Sequence, residues 1–273
     1  LTRTHARVVV VQPLHHNPTG VTMGAERRRE IRAVARAHDA FVIEDDFARH
    51  LTHTDASTPP APMIADDEAG RGPAETTIIL LGDLVDRGPA SAQAIEQLIA
   101  LRHRAPNTRF IAGNHEEVFL HAIDGDEQAL RMFCRIGGRE TIMSYGVTGP
   151  EYERLDYAEL AAELERIVPA THVDFLRSFE DVVTVGDYAF VHAGIRPNIA
   201  LALQKTSDLR WIRGTFLDFA GRHEKMIVHG HTITPEVERK AGRIGIDTGA
   251  YAGGPLTALG LEGDESWVLQ ASA

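Results

Sequence analysis

From residue 76 onward, short apolar runs alternate with longer stretches whose apolar residues recur every three or four positions. The runs "TTIILL" (76–81), "TRFIA" (108–112), "DYAFV" (187–191), "KMIV" (225–228) and "RIGI" (243–246) have the length and composition of buried strands. Ser91 to His103, Glu116 to Arg135 and Tyr157 to Ile167 carry the helical period. Strands alternating with helices predict an α/β (α+β) fold. Nearer the start, Arg7 to Gln12 holds "VVVV", Met23 to His38 places Ile31, Val34 and Ala35 at helical spacing, and Ala40 to Asp46 reads "AFVIEDD". This is a strand–helix–strand unit, whose two strands are expected to run parallel. Residues 51–75, rich in Pro, Thr, Asp and Gly, have the composition of a linker.

Four of the five later runs end in a polar motif: "GDLVDRG" (82–88), "GNHE" (113–116), "HAG" (192–194) and "HGHT" (229–232). Active sites of layered α/β folds gather at the carboxyl ends of strands, so these motifs are expected to meet. Cleaving a phosphate ester needs a hydroxide at neutral pH and positive charge on the phosphoryl oxygens, and a pair of cations supplies both. Asp83 is the candidate bridging carboxylate. Asn114, His192 and His231 add one amide oxygen and two imidazoles, a mixed set that suits Mn, Fe or Zn better than Ca or Mg. His115 follows Asn114 directly and suits protonation of the leaving oxygen, with Asp86 orienting its imidazole. Arg87 and Arg213 are candidate phosphate forks.

Composition narrows the field further. The net charge of −11 argues against a nucleic-acid-coating surface. The single cysteine, Cys134, excludes a disulfide framework and makes a reducing, cytoplasmic setting the default, with Cys134 read as a small apolar helix residue. No apolar run approaches the roughly 18 residues of a spanning helix, so no membrane partner is expected. "ERRRE" (26–30) reads as a solvated helix face. The chain begins at Leu1 rather than Met, as a fragment or a misjudged gene start would.

At "GDLVDRGP", "GNHE", "VHAG" and "HGHT" the chain resembles the calcineurin-like metallophosphoesterases, chiefly bacterial serine/threonine protein phosphatases and diadenosine tetraphosphate hydrolases. "GGRETIMSYG" (137–146) is similar to the bacterial members. The resemblance spans about residues 68–270. It implies a β-sandwich flanked by helices, a dinuclear metal centre and the roles given above, with His231 the ligand of the last pair and His229 behind it. The family's first motif, Gly-Asp-x-His-Gly after a strand, does not occur upstream of Asp83. Residues 1–67 instead resemble part of a fold-type I pyridoxal phosphate protein, of the aminotransferase-like type found in GntR-type regulators. There, Asn17 of "NPTG" and Asp45 match positions that touch the cofactor. The only lysines are Lys205, Lys225 and Lys240, none in a Schiff-base context, so neither pyridoxal phosphate binding nor transamination is expected.

Two domains are therefore expected, 1–67 and 68–273, joined as a fusion near "IADDE". "AFVIEDD" is the candidate to fill the place of the absent strand, offering Asp45 or Asp46 with His50 or His53 to a second metal. The expected function is a metal-dependent phosphoesterase of reduced activity, acting on a phosphorylated small molecule, a dinucleoside polyphosphate or a phosphoprotein. The rival is a metal- or phosphate-binding remnant without turnover.

Overall fold

The computed structural model describes residues 8–11, 27, 30–31, 33–34, 41–44, 76–262 and 265–271. The chain divides into two compact units, Leu1–Thr76 and Thr77–Ala273. In the first, strands β1 (Val8–Val11) and β2 (Phe41–Glu44) pair in parallel, Val8 opposite Phe41, as expected for strands joined by a helical crossover. Between them Arg27, Glu30, Ile31, Ala33 and Val34 are helical, and Arg27 pairs with Glu30 at 2.8 Å on an exposed face. Asn17, Asp45, Asp46, His50, His53 and the linker-like stretch all lie outside the described residues.

The second unit has a mixed α/β fold. Strands β3 (Ile78–Leu80) and β4 (Thr108–Phe110) pair in parallel, linked by helix α1 (Ser91–Arg104). Helices α2 (Asn114–Ile123), α3 (Glu127–Phe133), α4 (Arg139–Ser144), α5 (Gly149–Arg154), α6 (Tyr157–Ile167) and α7 (Ala170–Arg177) follow. The expected single helix over 116–135 is two helices. Gly125 takes a left-handed φ of 87°, and the Asp126 side chain caps the restart by accepting from the amides of Gln128 and Ala129 at 2.8 and 3.0 Å. A π turn, Cys134–Gly138, joins α3 to α4 and leaves Cys134 half-buried.

The remaining chain builds a five-stranded sheet from β5 (Val183–Val185), β6 (Tyr188–Phe190), β7 (Met226–His229), β8 (Glu238–Arg239) and β9 (Arg243–Gly245), in the order β5-β6-β7-β9-β8. The three inner strands, β6, β7 and β9, are parallel, and the two edges are antiparallel. Helices α8 (Thr206–Trp211) and α9 (Gly214–Leu217) lie in the β6–β7 crossover, and the hairpin β10 (Leu256–Glu262) and β11 (Glu265–Ala271) closes the chain.

Two apolar cores hold this unit. One joins Phe110 of β4, Phe119 of α2, Phe133 of α3 and Phe175 of α7, with Phe119 and Phe133 stacked at 4.8 Å. The other packs Ala189, Val191 and Ile227 of the sheet against Leu209 and Phe216 of α8 and α9. Each fully buried Phe contributes about 1.5–3 kcal/mol over an exposed one. That rigidity matters at the strand ends, because β3, β4, β6 and β7 all run into the polar motifs.

Candidate active site

Each of the four strand ends delivers one side chain to a common point. After β3 the chain turns through Gly82 (φ 88°) and Asp83 (φ 55°). After β4 it reaches Gly113 and begins α2 at Asn114. The two turns touch: a Cβ on Gly82 would lie 2.5 Å from the Gly113 nitrogen, and one on Gly113 would lie 2.5 Å from the Asp83 nitrogen. Only glycine lets the two backbones approach this closely.

His192, after β6, fixes the arrangement. Its Nδ1 donates to the Leu81 carbonyl at 2.6 Å, which sets the tautomer and turns Nε2 inward. Within reach of Nε2 lie Asn114 Oδ1 at 3.1 Å, His231 Nδ1 at 3.1 Å and Asp83 Oδ1 at 3.3 Å. Asp83, His192 and His231 are the one group of three metal-ligating side chains among the described residues, their atoms all within 4.8 Å of one another. Four electron-rich atoms converging in this way fit a cation. With ligand bonds of about 2.1 Å, neighbouring ligands on a tetrahedral or octahedral shell stand roughly 3.0–3.4 Å apart, which matches the three spacings from His192 Nε2. The other ring nitrogen of His231, Nε2, is buried without a hydrogen-bond partner among the described residues.

The charges respond to this crowding. Burial opposes ionisation of Asp83, but the His192 charge and the hydrogen bonds from His192 and His115 outweigh it and hold the carboxyl far below its usual range. Burial likewise opposes charging of His192, but Asp83 outweighs it and raises His192 above the ordinary histidine value. Burial, reinforced by the charges of His192 and Arg213, pushes His231 down to about 3, so its imidazole is neutral with a lone pair to give. A proton on His192 thus occupies the electrostatic role that a cation would take over.

Next to the cluster stands His115, at the second position of α2. Its Nδ1 lies 2.6 Å from Asp86 Oδ2, and its Nε2 receives Arg87 Nη2 at 3.1 Å. Burial pushes the Asp86 carboxyl up, against the hydrogen bonds from His115 and Thr141. Arg87 is held by the carbonyl of Ile136, to which its Nε donates at 3.2 Å, and lies over the Tyr251 ring at 4.1 Å. Arg213 is exposed, donates to Thr232 Oγ1 at 3.4 Å and carries its charge close enough to depress His231. His229 stays out of the cluster: its Nδ1 faces the Gly230 carbonyl at 3.1 Å, its Nε2 faces Arg243, and burial pushes it down to about 4.

The structure therefore brings together Asp83, Asn114, His192 and His231, with His115, Asp86 and Arg87 beside them. Glu116, which sequence reasoning did not single out, underpins all of these. It is fully buried, and its carboxylate accepts from the amides of Asp83 (2.9 Å), Gly113 (2.8 Å) and Leu84 (2.6 Å). The available signal was its place three residues after Gly113 at a helix start, where a Glu side chain turns back onto the preceding amide. Thr141 and Ser91, both on Asp86, were also missed.

With this geometry in view, comparison with known proteins gives a consistent result. The calcineurin-like phosphoesterase family matches residues 65–243, and the chain belongs to that family. It is 27% identical over 207 residues to a protein named "Bis(5'-nucleosyl)-tetraphosphatase PrpE [asymmetrical]" from Anoxybacillus flavithermus, covering 67% of this chain and 74% of that protein. A solved structure described as "a putative diadenosine tetraphosphatase" aligns with TM-score 0.50 at 17% identity, over 75% of this chain and 84% of that one, and shows the fold alone. A separate likeness of 39% over 67 residues links 23% of this chain to 14% of "Aminotransferase swnA" from Metarhizium robertsii. That share is too small for an aminotransferase activity to follow from it. No helix among the described residues is long and apolar enough to cross a membrane.

Proposed function

We propose that the chain hydrolyses phosphoesters at a divalent cation held by Asp83, Asn114, His192 and His231, with a dinucleoside polyphosphate as the leading substrate class. A phosphomonoester or a phosphoprotein is the alternative substrate for the same site. The carrying observation is the convergence of Asn114 Oδ1, His231 Nδ1 and Asp83 Oδ1 at 3.1–3.3 Å from His192 Nε2, beside the His115–Asp86 pair. The name of the relative from Anoxybacillus flavithermus favours the dinucleoside substrate over the phosphoprotein.

A cation bound there supplies a water of lowered pKa and a Lewis-acid hold on a phosphoryl oxygen. The imidazole nitrogens suit Mn, Fe or Zn. Asp83 and the neutral His231 give lone pairs, and the Leu81 carbonyl holds His192 in the tautomer that does the same. His115 Nε2 is the atom that passes a proton to the leaving oxygen. Asp86 holds the Nδ1–H, so it is the imidazolium form, with Arg87 turned away from Nε2, that releases its proton from Nε2. Arg87 lies within a hydrogen bond of that Nε2 and can move to an incoming phosphate as a planar fork. Arg213, exposed on the His231 side, is a second grip on phosphate oxygens.

The test is product analysis of diadenosine tetraphosphate, 4-nitrophenyl phosphate and a phosphothreonine peptide after incubation with the full chain and Mn²⁺. The reading expects cleavage of the dinucleotide, abolished by chelation. Cleavage of the peptide alone would move the assignment to a protein phosphatase. No cleavage of any of the three would leave a metal-binding protein without turnover.

A further inference from the structure

The stretch "GGRETIMSYG" has no part in the cation cluster, yet its Thr141 reaches the turn that carries Asp86. Thr141 and Ser144 stand three residues apart on α4 and so share a face. Ser144 Oγ accepts from the Ala92 amide at 3.0 Å, giving α1 the cap that Ala90 cannot provide. Thr141 has no exposed surface. Its Oγ1 accepts from the Asp86 amide at 2.9 Å and donates to Asp86 Oδ1 at 2.7 Å, closing a ring on a single residue, with Ser91 Oγ 2.9 Å away.

That ring acts on a turn that would not hold itself. Asp86 and Arg87 are consecutive left-handed residues, φ 76° and 65°, a conformation that a side chain disfavours. Arg87 is secured by its amide to the Gly137 carbonyl at 2.9 Å, and Asp86 by Thr141 and Ser91. The Asp86 carboxylate divides its oxygens between Thr141 and His115 Nδ1. With both taken, its plane cannot rotate, and the imidazole is held with its proton on Nδ1.

We propose that Thr141 is a positioning residue which, acting through Asp86, fixes the tilt of His115 and keeps its Nδ1–H on the carboxylate, so that the proton the imidazolium gives to the leaving oxygen is the one on Nε2 and the Nδ1–H tautomer remains. This rests on the reading of His115 as proton donor. Without the hydroxyl, Oδ1 is buried with no donor, and the carboxylate turns until it satisfies itself at the expense of His115. A hydroxyl that merely stabilised α4 would affect folding and leave the chemistry intact.

Two measurements on the full chain separate these roles. Proton donation matters most when the leaving oxygen is basic, so phenyl phosphate and 4-nitrophenyl phosphate are compared in Mn²⁺. Thr141→Val is expected to lower kcat on phenyl phosphate by roughly tenfold to a hundredfold and on the nitrophenyl ester by less, with KM nearly unchanged. Thr141→Ser restores both, and Thr141→Val adds nothing in an Asp86→Asn background. Thr141→Ala serves if the valine variant does not fold. Equal losses on the two esters, or losses that add to those of Asp86→Asn, overturn the proposal.

The second measurement needs no turnover. Nitrogen-15 NMR of labelled histidines, with His115 identified through His115→Gln, is expected to show the Nδ1-protonated tautomer in the wild type and in Thr141→Ser, and a mixture in Thr141→Val. An unchanged tautomer in Thr141→Val overturns the proposal. The expected tautomer change in a chain that cleaves neither ester would count against the phosphoesterase reading alone.

Discussion

Replacing Glu116 with Gln changes one atom in a fully buried site, and the consequences can be worked through atom by atom. Oε2 accepts two amides, those of Asp83 and Gly113, and Oε1 accepts that of Leu84 at 2.6 Å. A glutamine therefore keeps its carbonyl on the Oε2 side and turns its NH₂ toward the Leu84 N–H. One charge-assisted bond is lost and two donors face each other, a penalty of about 2–3 kcal/mol. For a domain of 150–250 residues each kcal/mol lowers Tm by about 2–4 °C, so a fall of roughly 5–10 °C is expected. Because the Asp83 amide is among the groups disturbed, Mn²⁺ affinity should fall in parallel. Differential scanning calorimetry with and without metal reads both effects. The competing influence is burial, which with the Asp83 charge pushes the Glu116 carboxyl up toward its neutral form. A melting point within about 1 °C of wild type would mean that the folded chain already holds Glu116 protonated and that the three-amide anchor is not ionic. That result would rule out a charged Glu116 as the anchor of the two turns.

Other perturbations follow from the same geometry. His192 has a raised pKa in the metal-free protein, so its charged pair with Asp83 stabilises the fold below the ordinary histidine value and is lost as pH rises through the raised one. Metal-free melts should therefore weaken from pH 6 toward alkaline values, while Mn²⁺ affinity rises over the same window as the competing proton leaves; calorimetric titration at several pH values measures this. Gly113→Ala drives a Cβ into the Asp83 turn and should abolish metal binding while leaving much of the helical content in circular dichroism. Arg87→Lys keeps the charge but loses the fork and the stacking on Tyr251, and should raise KM for the substrate more than it lowers kcat.

The parts of this molecule that could be read from sequence are those where one residue type admits one role. "GDLVDRG", "GNHE", "HAG" and "HGHT" each follow a strand, and β3, β4, β6 and β7 carry them to one place. The convergence of Asp83, Asn114, His192 and His231 follows from that topology. The helix over 116–135 was misjudged because apolar periodicity continues across Gly125, while the break comes from a left-handed glycine followed by an Asp cap. Periodicity registers neither. Glu116 and Thr141 were passed over for a different reason: local pattern marks Glu116 only as a partner of the Gly113 amide, while the amides of Leu84 and Asp86 that make the two residues part of the site lie 32 and 55 residues away. The short edge strands β5 and β8 have too few residues to show alternation against the flanking loops.

Four side chains from four strand ends are proposed to hold a cation used in phosphoester cleavage. Titration of Mn²⁺ into the metal-free full chain, alongside Asp83→Asn and His231→Ala, tests it most directly when each sample is also assayed on diadenosine tetraphosphate. The wild type is expected to show a binding site that weakens by at least about tenfold in both variants, with turnover lost in step. Variants that bind Mn²⁺ and turn over substrate as the wild type does would contradict it.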